Sequence, residues 1–299
     1  MHGCYDARTF RRKQADREPK PMSSRIKMHD LCERSFQSSG LSTKHRPRAH
    51  SRNTGNVRRA MLAVAFLLLG TPASGATLGD TGLTLTSIFI GGTEYSARGI
   101  SQSEESPAIQ AIFDLATSSG VYIGTFTGTD KFRGFDDKME NDGYIGYRFK
   151  IGQFSADSQL FYANFSSYRQ PLRSSRQDYP ESRTNVSYDL NPVRLAFAFF
   201  YSPNFAGHSG AGYYFEGGAD VDLPAQFEFS ARVGHQQLAI PANFGFPDWM
   251  NWNISFGHPI YGPLVGSVGL VGTNISRQDC AGGQSLCQNR LVVLLTAKF

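Results

Sequence analysis

The segment from Gln288 to Phe299 reads QNRLVVLLTAKF and alternates between two kinds of side chain. One face includes Arg290 and Lys298 and carries every charge in the segment. The other face is apolar throughout and consists of Leu291, Val293, Leu295, Ala297 and Phe299. A two-residue period predicts a β-strand with one face more apolar than the other. In a transmembrane β-barrel the final ring would lie in the interfacial aromatic girdle, but alone the segment also fits the last strand of a secreted β-sandwich.

Residues 1–76 differ in composition from the remainder of the chain. They contain 15 Lys and Arg against 5 Asp and Glu, whereas residues 77–299 contain 15 against 20. The basic balance of the whole chain therefore comes from the leader and gives no reason to expect nucleic-acid binding by the folded part. Residues 1–56 lack an apolar period, which predicts a disordered basic extension. The alternative is a start assigned too far upstream, with Val57 or Met61 as the true first residue.

The end of the leader has the three parts of a secretory signal. Arg58 and Arg59 are followed by the apolar stretch MLAVAFLLLG at 61–70 and by small residues up to Ala76. The apolar core is too short to cross a bilayer, which takes ~20 residues. We predict a signal peptide at 57–76, cleaved after Ala76, and therefore export from the cytoplasm.

The remaining chain contains alternating segments of about ten residues and hardly any helical period. The pattern predicts an all-β fold with twelve strands. Their approximate positions are Thr81–Arg98, Ala108–Ala116, Gly120–Gly128, Met139–Lys150, Gln153–Asn164, Glu181–Leu190, Pro192–Tyr201, Gly212–Leu223, Gln226–Gln237, Asp248–His258, Pro263–Ile275 and Asn289–Phe299.

The connections between these strands alternate strictly in length. Every second one is a tight turn, such as Asn191, whereas those between them are longer, such as 165–180. Outer-membrane barrels have short periplasmic turns and long external loops, whereas a Greek-key sandwich has no reason to sort its loops. We therefore predict a monomeric, twelve-stranded antiparallel transmembrane β-barrel over residues 77–299, with both ends of the barrel chain on the periplasmic side.

The facing of the strands follows from parity. Apolar residues such as Phe197 and Phe199 alternate with positions that include Arg194. A charge on the lipid face costs about 2–4 kcal/mol at the membrane midplane, so the charged parity is predicted to face the lumen. The candidate pore-lining residues are Glu94, Arg98, Asp114, Glu140, Asp142, Arg148, Asp157, Arg194, Glu216, Asp220, Glu228 and Arg232. The third and eleventh strands are rich in Gly, and their facing is left open.

The segment Tyr95–Gln102, YSARGISQ, resembles the first hairpin of the TorF-like porins, a bacterial family of unknown function. Members carry an aromatic residue, two variable residues and then Arg-Gly-Ile-Ser-Gln. Further matches are PAIQ at 107–110, GYIGY at 143–147, FYSPNF at 200–205 and YFEGGAD at 214–220. The resemblance spans most of 81–270 and departs at Ala97, where a bulkier residue is commoner, and at two cysteines of the last long loop. It implies an outer-membrane barrel of a Gram-negative bacterium.

The ending of the chain is also similar to that of bacterial outer-membrane barrels, whose assembly machinery reads it. The residues that would be read are Leu291, Val293, Leu295 and Phe299. The expected partners are therefore outer-membrane lipid, the barrel-assembly machinery, and small solutes or ions.

Cys280 and Cys287 bracket the end of the last long loop, whereas the other two cysteines belong to the leader. Because exported proteins meet an oxidising environment, we predict a local disulfide that ties down this loop. No histidine lies near either cysteine, and neither a metal site nor a cofactor is expected.

Enzymatic activity is the first alternative, because some twelve-stranded barrels are phospholipases with an outward Ser–His pair. His235 shares the lipid-facing parity of Val233, but the nearest serine, Ser209, belongs to a loop. We therefore predict no catalytic residues. A soluble binding module, which would expose its alternating charges to water, is the second alternative.

The expected function is passive passage of ions or small solutes. The alternative is a barrel whose mixed lumen charges pair and leave little water path. Acids outnumber bases among the candidates, which favours cations weakly. Arg98 is predicted to project inward near the external mouth and to bind Glu94 or Glu140 through two guanidinium nitrogens. In that position it would have a structural or a gating role. The alternative is a solvated arginine at the edge of a loop.

Overall fold

The computed structural model describes residues 75–131, 139–166, 177–280 and 283–299. The predicted extension at 1–56 and all but the last two residues of the predicted signal peptide at 57–76 lie outside the described residues. Within the described ranges no helix is both long and apolar enough to cross a membrane.

Twelve long strands form one continuous antiparallel sheet in the described part of the chain, and the two-residue strands Ala76–Thr77 and Phe165–Ser166 pair with the first and the fourth of them. The bounds of the twelve long strands are within three residues of the predicted ones, except at the end of the first strand. They are β1 (Leu83–Gly92), β2 (Ala108–Thr117), β3 (Val121–Thr129), β4 (Met139–Ile151), β5 (Phe154–Ala163), β6 (Tyr179–Asp189), β7 (Val193–Ser202), β8 (Gly212–Asp222), β9 (Glu228–Leu238), β10 (Trp249–Tyr261), β11 (Leu264–Thr273) and β12 (Arg290–Lys298).

The sheet closes on itself. Each strand pairs with the next, and β12 pairs with β1 from Leu294↔Gly92 to Lys298↔Ile88. Phe299 continues this seam through two backbone hydrogen bonds with Ser87, of 2.8 and 2.9 Å. The predicted twelve-stranded antiparallel barrel is confirmed. Since a closed barrel has no open edges, the β-sandwich is excluded as the fold.

The loops are sorted by length between the two ends of the barrel. The connections at 118–120, 152–153, 190–192, 223–227 and 262–263 are short, and we call their side the short-turn end. The connections at 93–107, 203–211 and 239–248, and the described parts of the longer connections that follow β3, β5 and β11, lie at the opposite, long-loop end. The long-loop end also carries the small helices Ala206–His208 and Pro241–Phe244.

The barrel is apolar outside and charged inside. Large apolar residues on the outer parity are exposed, with Leu160 at 67% and Leu291 at 71% of full accessibility, whereas Asp142 and Glu181 on the inner parity are 3% exposed. This is the reverse of a water-soluble protein, because such a broad apolar surface is stable only against an apolar surrounding. The structure also shows which residues of the two Gly-rich strands face outward, among them Ile123 of β3 and Val268 of β11.

The first strand ends at Gly92, and the prediction that it continues to Arg98 is wrong. The chain leaves the wall and folds into a small hairpin, the inner hairpin (residues 96–101), in which Ser96 pairs with Ser101 and Ala97 with Ile100. Arg98 and Gly99 form its turn. Parity along the sequence cannot detect this departure, because a hairpin strand alternates in the same way as a wall strand.

A buried apolar cluster lies at the long-loop end. Ile100 of the inner hairpin belongs to it, together with Phe205, Trp249 and Leu286 from three surrounding elements. The dry core of this molecule therefore lies inside one end of the barrel.

Candidate functional site: the lumen and the inner hairpin

The tip of the inner hairpin is fitted closely to the barrel wall. Arg98 and Gly99 have φ values of 48° and 80°, the left-handed pair that a two-residue type I′ hairpin turn requires. A Cβ on Gly99 would lie 2.5 Å from the backbone oxygen of Gly272, so only glycine fits. Trp249 of β10 donates its indole N–H to the carbonyl oxygen of Arg98 at 2.9 Å. The turn is therefore anchored on β10 and β11.

The Arg98 side chain reaches the opposite wall. Its Nη2 donates to both carboxylate oxygens of Glu181, at 2.6 and 2.7 Å, and its Nη1 donates to Gln236. The guanidinium also lies 4.6 Å from the ring centre of Tyr214. The predicted partners, Glu94 and Glu140, are wrong. Since the hairpin starts inside the barrel, Arg98 can span the lumen to β6, which a residue on the wall beside Glu94 could not do.

Glu181 binds a second arginine as well. Arg183 donates through Nε to Glu181 at 2.6 Å, and its guanidinium lies 3.2 Å from the ring centre of Phe161. Burial acts to lower the pKa of Arg98, but the carboxylate of Glu181 outweighs it, so the pKa of Arg98 lies above its usual value. Arg98 therefore stays charged, and its charge is matched inside the barrel.

The base of the inner hairpin is held from β12. Arg290 donates to Glu94 at 2.5 Å, to the carbonyl oxygen of Gly99 at 3.1 Å and to the Ser96 hydroxyl at 3.1 Å. Burial raises the pKa of Glu94 above its ordinary value even though Arg290 acts to lower it. The last long loop adds backbone support, because Ser101 donates its N–H to the carbonyl oxygen of Leu286 at 2.9 Å.

The last long loop is itself cross-linked. Cys280 and Cys287 form a disulfide, and both residues are fully buried. The Cys287 carbonyl accepts hydrogen bonds from the N–H and the hydroxyl of Thr273, at 3.1 and 2.9 Å. The disulfide therefore holds the loop that backs the inner hairpin.

An acidic pair lies beside the hairpin on β4. Tyr95 donates its hydroxyl to Glu140 at 2.8 Å, and the backbone N–H of Asn164 donates to Asp142 at 3.1 Å. Glu140 is 6% and Asp142 3% exposed, and neither forms a salt bridge to any described residue. Burial, with the two carboxylates nearby, raises the pKa of Tyr95 well above its usual value, which keeps its hydroxyl a donor.

Toward the short-turn end the lumen charges pair across strands. Arg148 lies 3.1 Å from Asp114 and 3.6 Å from Asp157, and these two acids also accept hydrogen bonds from the hydroxyl groups of Tyr144 and Tyr122, respectively. Mixed charges that pair along the wall were expected from the sequence.

Three further groups of charges follow the same wall. Arg232 donates to both oxygens of Asp220, at 2.7 and 2.8 Å. Arg194 and Lys150 both contact Asp189, at 2.9 and 3.0 Å. Glu216 accepts a hydrogen bond from the Tyr214 hydroxyl at 2.7 Å.

The sequence-based list therefore falls on the inner side of the barrel, but in two different settings. Glu94 and Arg98 lie in the inward loop, whereas Asp114, Glu140, Asp142, Arg148, Asp157, Arg194, Glu216, Asp220, Glu228 and Arg232 lie on wall strands. The list omitted Glu181, Arg183, Gln236 and Arg290, which hold the hairpin. Glu181 and Arg183 have the parity of the charged face, so extending the facing argument to β6 would have found them.

Cavities occupy the lumen on both sides of the hairpin. One of about 610 Å³ lies toward the short-turn end, between Lys150, Arg194 and Arg232. A second, of about 370 Å³, is bordered by Arg148 and reaches Arg98 and Tyr95. A third, of about 70 Å³, lies on the long-loop side and is also lined by Arg98 and Tyr95. The inner hairpin therefore lies in the lumen between the second and the third cavity.

Among the described residues, no group of at least three His, Cys, Asp or Glu side chains is placed to hold a metal ion. His235 points outward between Phe215 and Met250 on the adjacent strands, neither of which is a nucleophile.

The fold and the lumen define the class as a closed β-barrel with a charged interior and an inward-folded loop. The chain belongs to the family described as "bacterial protein of unknown function (Gcw_chp)", whose model matches residues 72–299. No curated protein matches the chain.

Solved structures with a similar course of the chain are porins and an outer-membrane channel. The KdgM porin is 8% identical, with a TM-score of 0.48 over 72% of this chain and 99% of its own. The NanC porin is 9% identical, with a TM-score of 0.48 over 71% and 98%. The outer-membrane channel DcaP of Acinetobacter baumannii is 10% identical, with a TM-score of 0.37 over 76% and 78%. Similarity at this level carries no argument about the function of this chain.

Proposed function

We propose that this protein is an outer-membrane channel for passive passage of ions and small polar solutes, with the inner hairpin as its constriction. The main observation in support is the distribution of side chains between the two faces of the barrel. Its exposed outer residues are apolar, its inner residues are charged, and its interior contains cavities of about 610 and 370 Å³ that share Arg148 and Asp157 as lining residues. A closed barrel satisfies every backbone group between strands, which is what crossing a bilayer demands.

Export and assembly follow the sequence. A signal peptide at 57–76 would bring the chain to the periplasm, and the barrel-assembly machinery would read the outward residues Leu291, Val293, Leu295 and Phe299. The resemblance of Tyr95–Gln102 to the TorF-like porins supports the same location. We assign no enzymatic role, no cofactor and no nucleic-acid partner.

The unequal pairing of charges in the lumen favours cations. Each inward arginine described above has a carboxylate partner, from Arg98 with Glu181 to Arg290 with Glu94. In contrast, several inward acids form no salt bridge to a described residue; these are Glu140, Asp142, Glu216 and Glu228. Fixed charge along the lumen biases ion selectivity, and the acids without an arginine partner leave the lumen with an excess of negative charge.

Planar-bilayer recording tests the proposal. The refolded protein is expected to give discrete current steps and, in a KCl gradient, a reversal potential on the cation side. Replacement of both Glu216 and Glu228 by Gln should reduce this preference. Symmetrical permeation by both ions would contradict the proposed selectivity.

A second variant tests the constriction. Gly92 and Ala108 are paired neighbours, so a short Gly-Ser linker can replace residues 95–102 without opening the wall. The expected result is a larger single-channel conductance than that of the wild type. The control is Glu105→Gln, which removes one exposed charge from the same loop and should leave the conductance unchanged.

A non-conducting structural barrel is the second candidate, and the buried fastening of the hairpin favours it. Arg98, Glu181 and Arg290 hold the hairpin across the lumen through contacts of 2.5 to 2.7 Å. This candidate predicts no current from the wild type. If current appears only after residues 95–102 are replaced, the wild-type barrel is closed by the inner hairpin and is not an open channel.

A further inference from the structure

The cavity on the long-loop side of the inner hairpin has the composition of a ligand site. It measures about 70 Å³, and six of its fourteen lining residues are aromatic. The rings make successive contacts of 4.4 to 6.5 Å between centres, in the order Phe165, Tyr179, Phe205, Phe244 and Trp249. A concave apolar pocket with a few convergent polar groups is the usual form of a small-molecule site.

The polar groups beside this cavity include a carboxyl pair that has no guanidinium partner among the described residues. Glu140 borders the cavity and has Asp142 next to it on the inner face of β4, within hydrogen-bonding distance, so the two carboxyl groups share a proton. Arg98 also borders the cavity, but its terminal nitrogens donate to Glu181 and Gln236 on the wall, and Arg183 is paired to Glu181 as well. An ammonium group can take the place of the shared proton and be matched by the ionised pair.

Aromatic faces and a buried carboxyl pair without a guanidinium partner select the same kind of ligand. Ring faces attract cations through their quadrupole, by about 0.5–2 kcal/mol per contact. A buried carboxylate adds a charge-assisted hydrogen bond to any N–H donor. Building on the channel function proposed above, we infer that this cavity binds the ammonium head of a small organic amine, with Glu140 as its carboxylate and the rings as its walls.

The size of the cavity limits the ligand. An engineered cavity of about 150 Å³ holds benzene, and this one is about half as large. Only the cationic head and the first carbons of an amine would therefore enter. Because Tyr95, Ala97 and Ile100 of the hairpin segment also line the cavity, a bound amine contacts the hairpin in its inward position and stabilises that position.

Tryptophan fluorescence measures this binding without any ion current. The sequence has 2 tryptophans, and the second, Trp252, points outward and donates to Asn289. A Trp252→Phe background therefore leaves Trp249, which lines the cavity, as the single reporter. The protein refolded in detergent is titrated with butylammonium, with neutral 1-pentanol and anionic pentanoate as probes of similar length.

The expected result is a saturable change in Trp249 emission with butylammonium and not with the other two probes. Glu140→Gln keeps an oxygen for the Tyr95 hydroxyl and should weaken binding at least tenfold. Phe244→Leu should weaken it several-fold, and Glu105→Gln, the same exchange at an exposed position, should not change it.

Three results would overturn the proposal. They are the absence of saturation, an equal response to 1-pentanol, which would mean an apolar cavity only, and unchanged affinity in Glu140→Gln. Since fluorescence does not depend on conduction, a protein that binds the amine but carries no current would refute the channel and leave the binding site standing.

Discussion

The lumen contains two sets of ion pairs that use the same residue types in opposite surroundings. At the long-loop end Arg98 and Glu181 have side chains that are 12% and 2% exposed, whereas Arg194 and Asp189 near the short-turn end are 52% and 32% exposed. Water screens the second pair and hydrates each member when the pair breaks. Water does not compensate the first pair in this way, because breaking it leaves an unpaired charge buried in an apolar cluster. Burial, more than the distance between the partners, therefore decides whether an ion pair holds the hairpin in place or contributes little to stability.

The largest expected effect is that of Glu181→Ala. The change removes one carboxylate and strands two buried guanidiniums, Arg98 and Arg183. Breaking a buried pair from one side costs about 3–5 kcal/mol, and we expect the free energy of unfolding to fall by that amount. Urea titration in lipid vesicles, followed by heat-modifiable gel mobility, measures it. A loss no larger than that from Arg194→Ala would abolish the distinction between the two sets.

Arg98→Ala should cost less, about 2 kcal/mol, because Arg183 still pairs with the carboxylate that remains. Arg98→Lys should recover only part of this loss, since its single nitrogen replaces two, of which one binds Glu181 and the other binds Gln236. The same titration measures both variants, and bilayer recording should show raised conductance in the alanine variant. If both variants match the wild type in unfolding and conductance, Arg98 does no work in the constriction.

Gly99→Ala tests the seating of the hairpin tip against a matched glycine. Gly245 has a similar φ of 89° but no heavy atom within 4 Å of an added Cβ, whereas at Gly99 that Cβ would meet the Gly272 carbonyl at 2.5 Å. Gly245→Ala should cost only the left-handed backbone, about 1–2 kcal/mol. Gly99→Ala should cost more in urea titration and should raise the conductance. Equal costs would mean that the tip is not pressed against the wall.

The smallest expected effect is that of Arg194→Ala. Its guanidinium is half exposed and shares Asp189 with Lys150, which remains after the change. The unfolding midpoint should therefore stay within the error of the wild type. High salt should also leave the midpoint unchanged, because this exposed ion pair contributes little stability that salt could screen. A clear loss would show that this end of the lumen is drier than its exposure indicates.

The wall of the barrel was readable from the sequence because it depends on local regularities. Alternation along Arg290–Lys298 reports two faces, and the strict alternation of turn and loop lengths reports a meander. Both features survive without knowledge of distant contacts, so the strand count and the strand limits were predicted to within a few residues. The one boundary error, at Gly92, occurred where the chain keeps its alternation after it has left the wall.

The constriction depended on the tertiary structure. Arg98 and Glu181 are 83 positions apart, and nothing local to either identifies the other. Parity states on which face a residue lies, but a loop folded into a lumen is free of that rule and can reach any strand around it. The sequence by itself therefore determined a barrel with an apolar exterior and a charged interior. Which charges pair, which stay unmatched and which loop narrows the lumen were decided only when the sheet closed, because closure brings distant residues within hydrogen-bonding range.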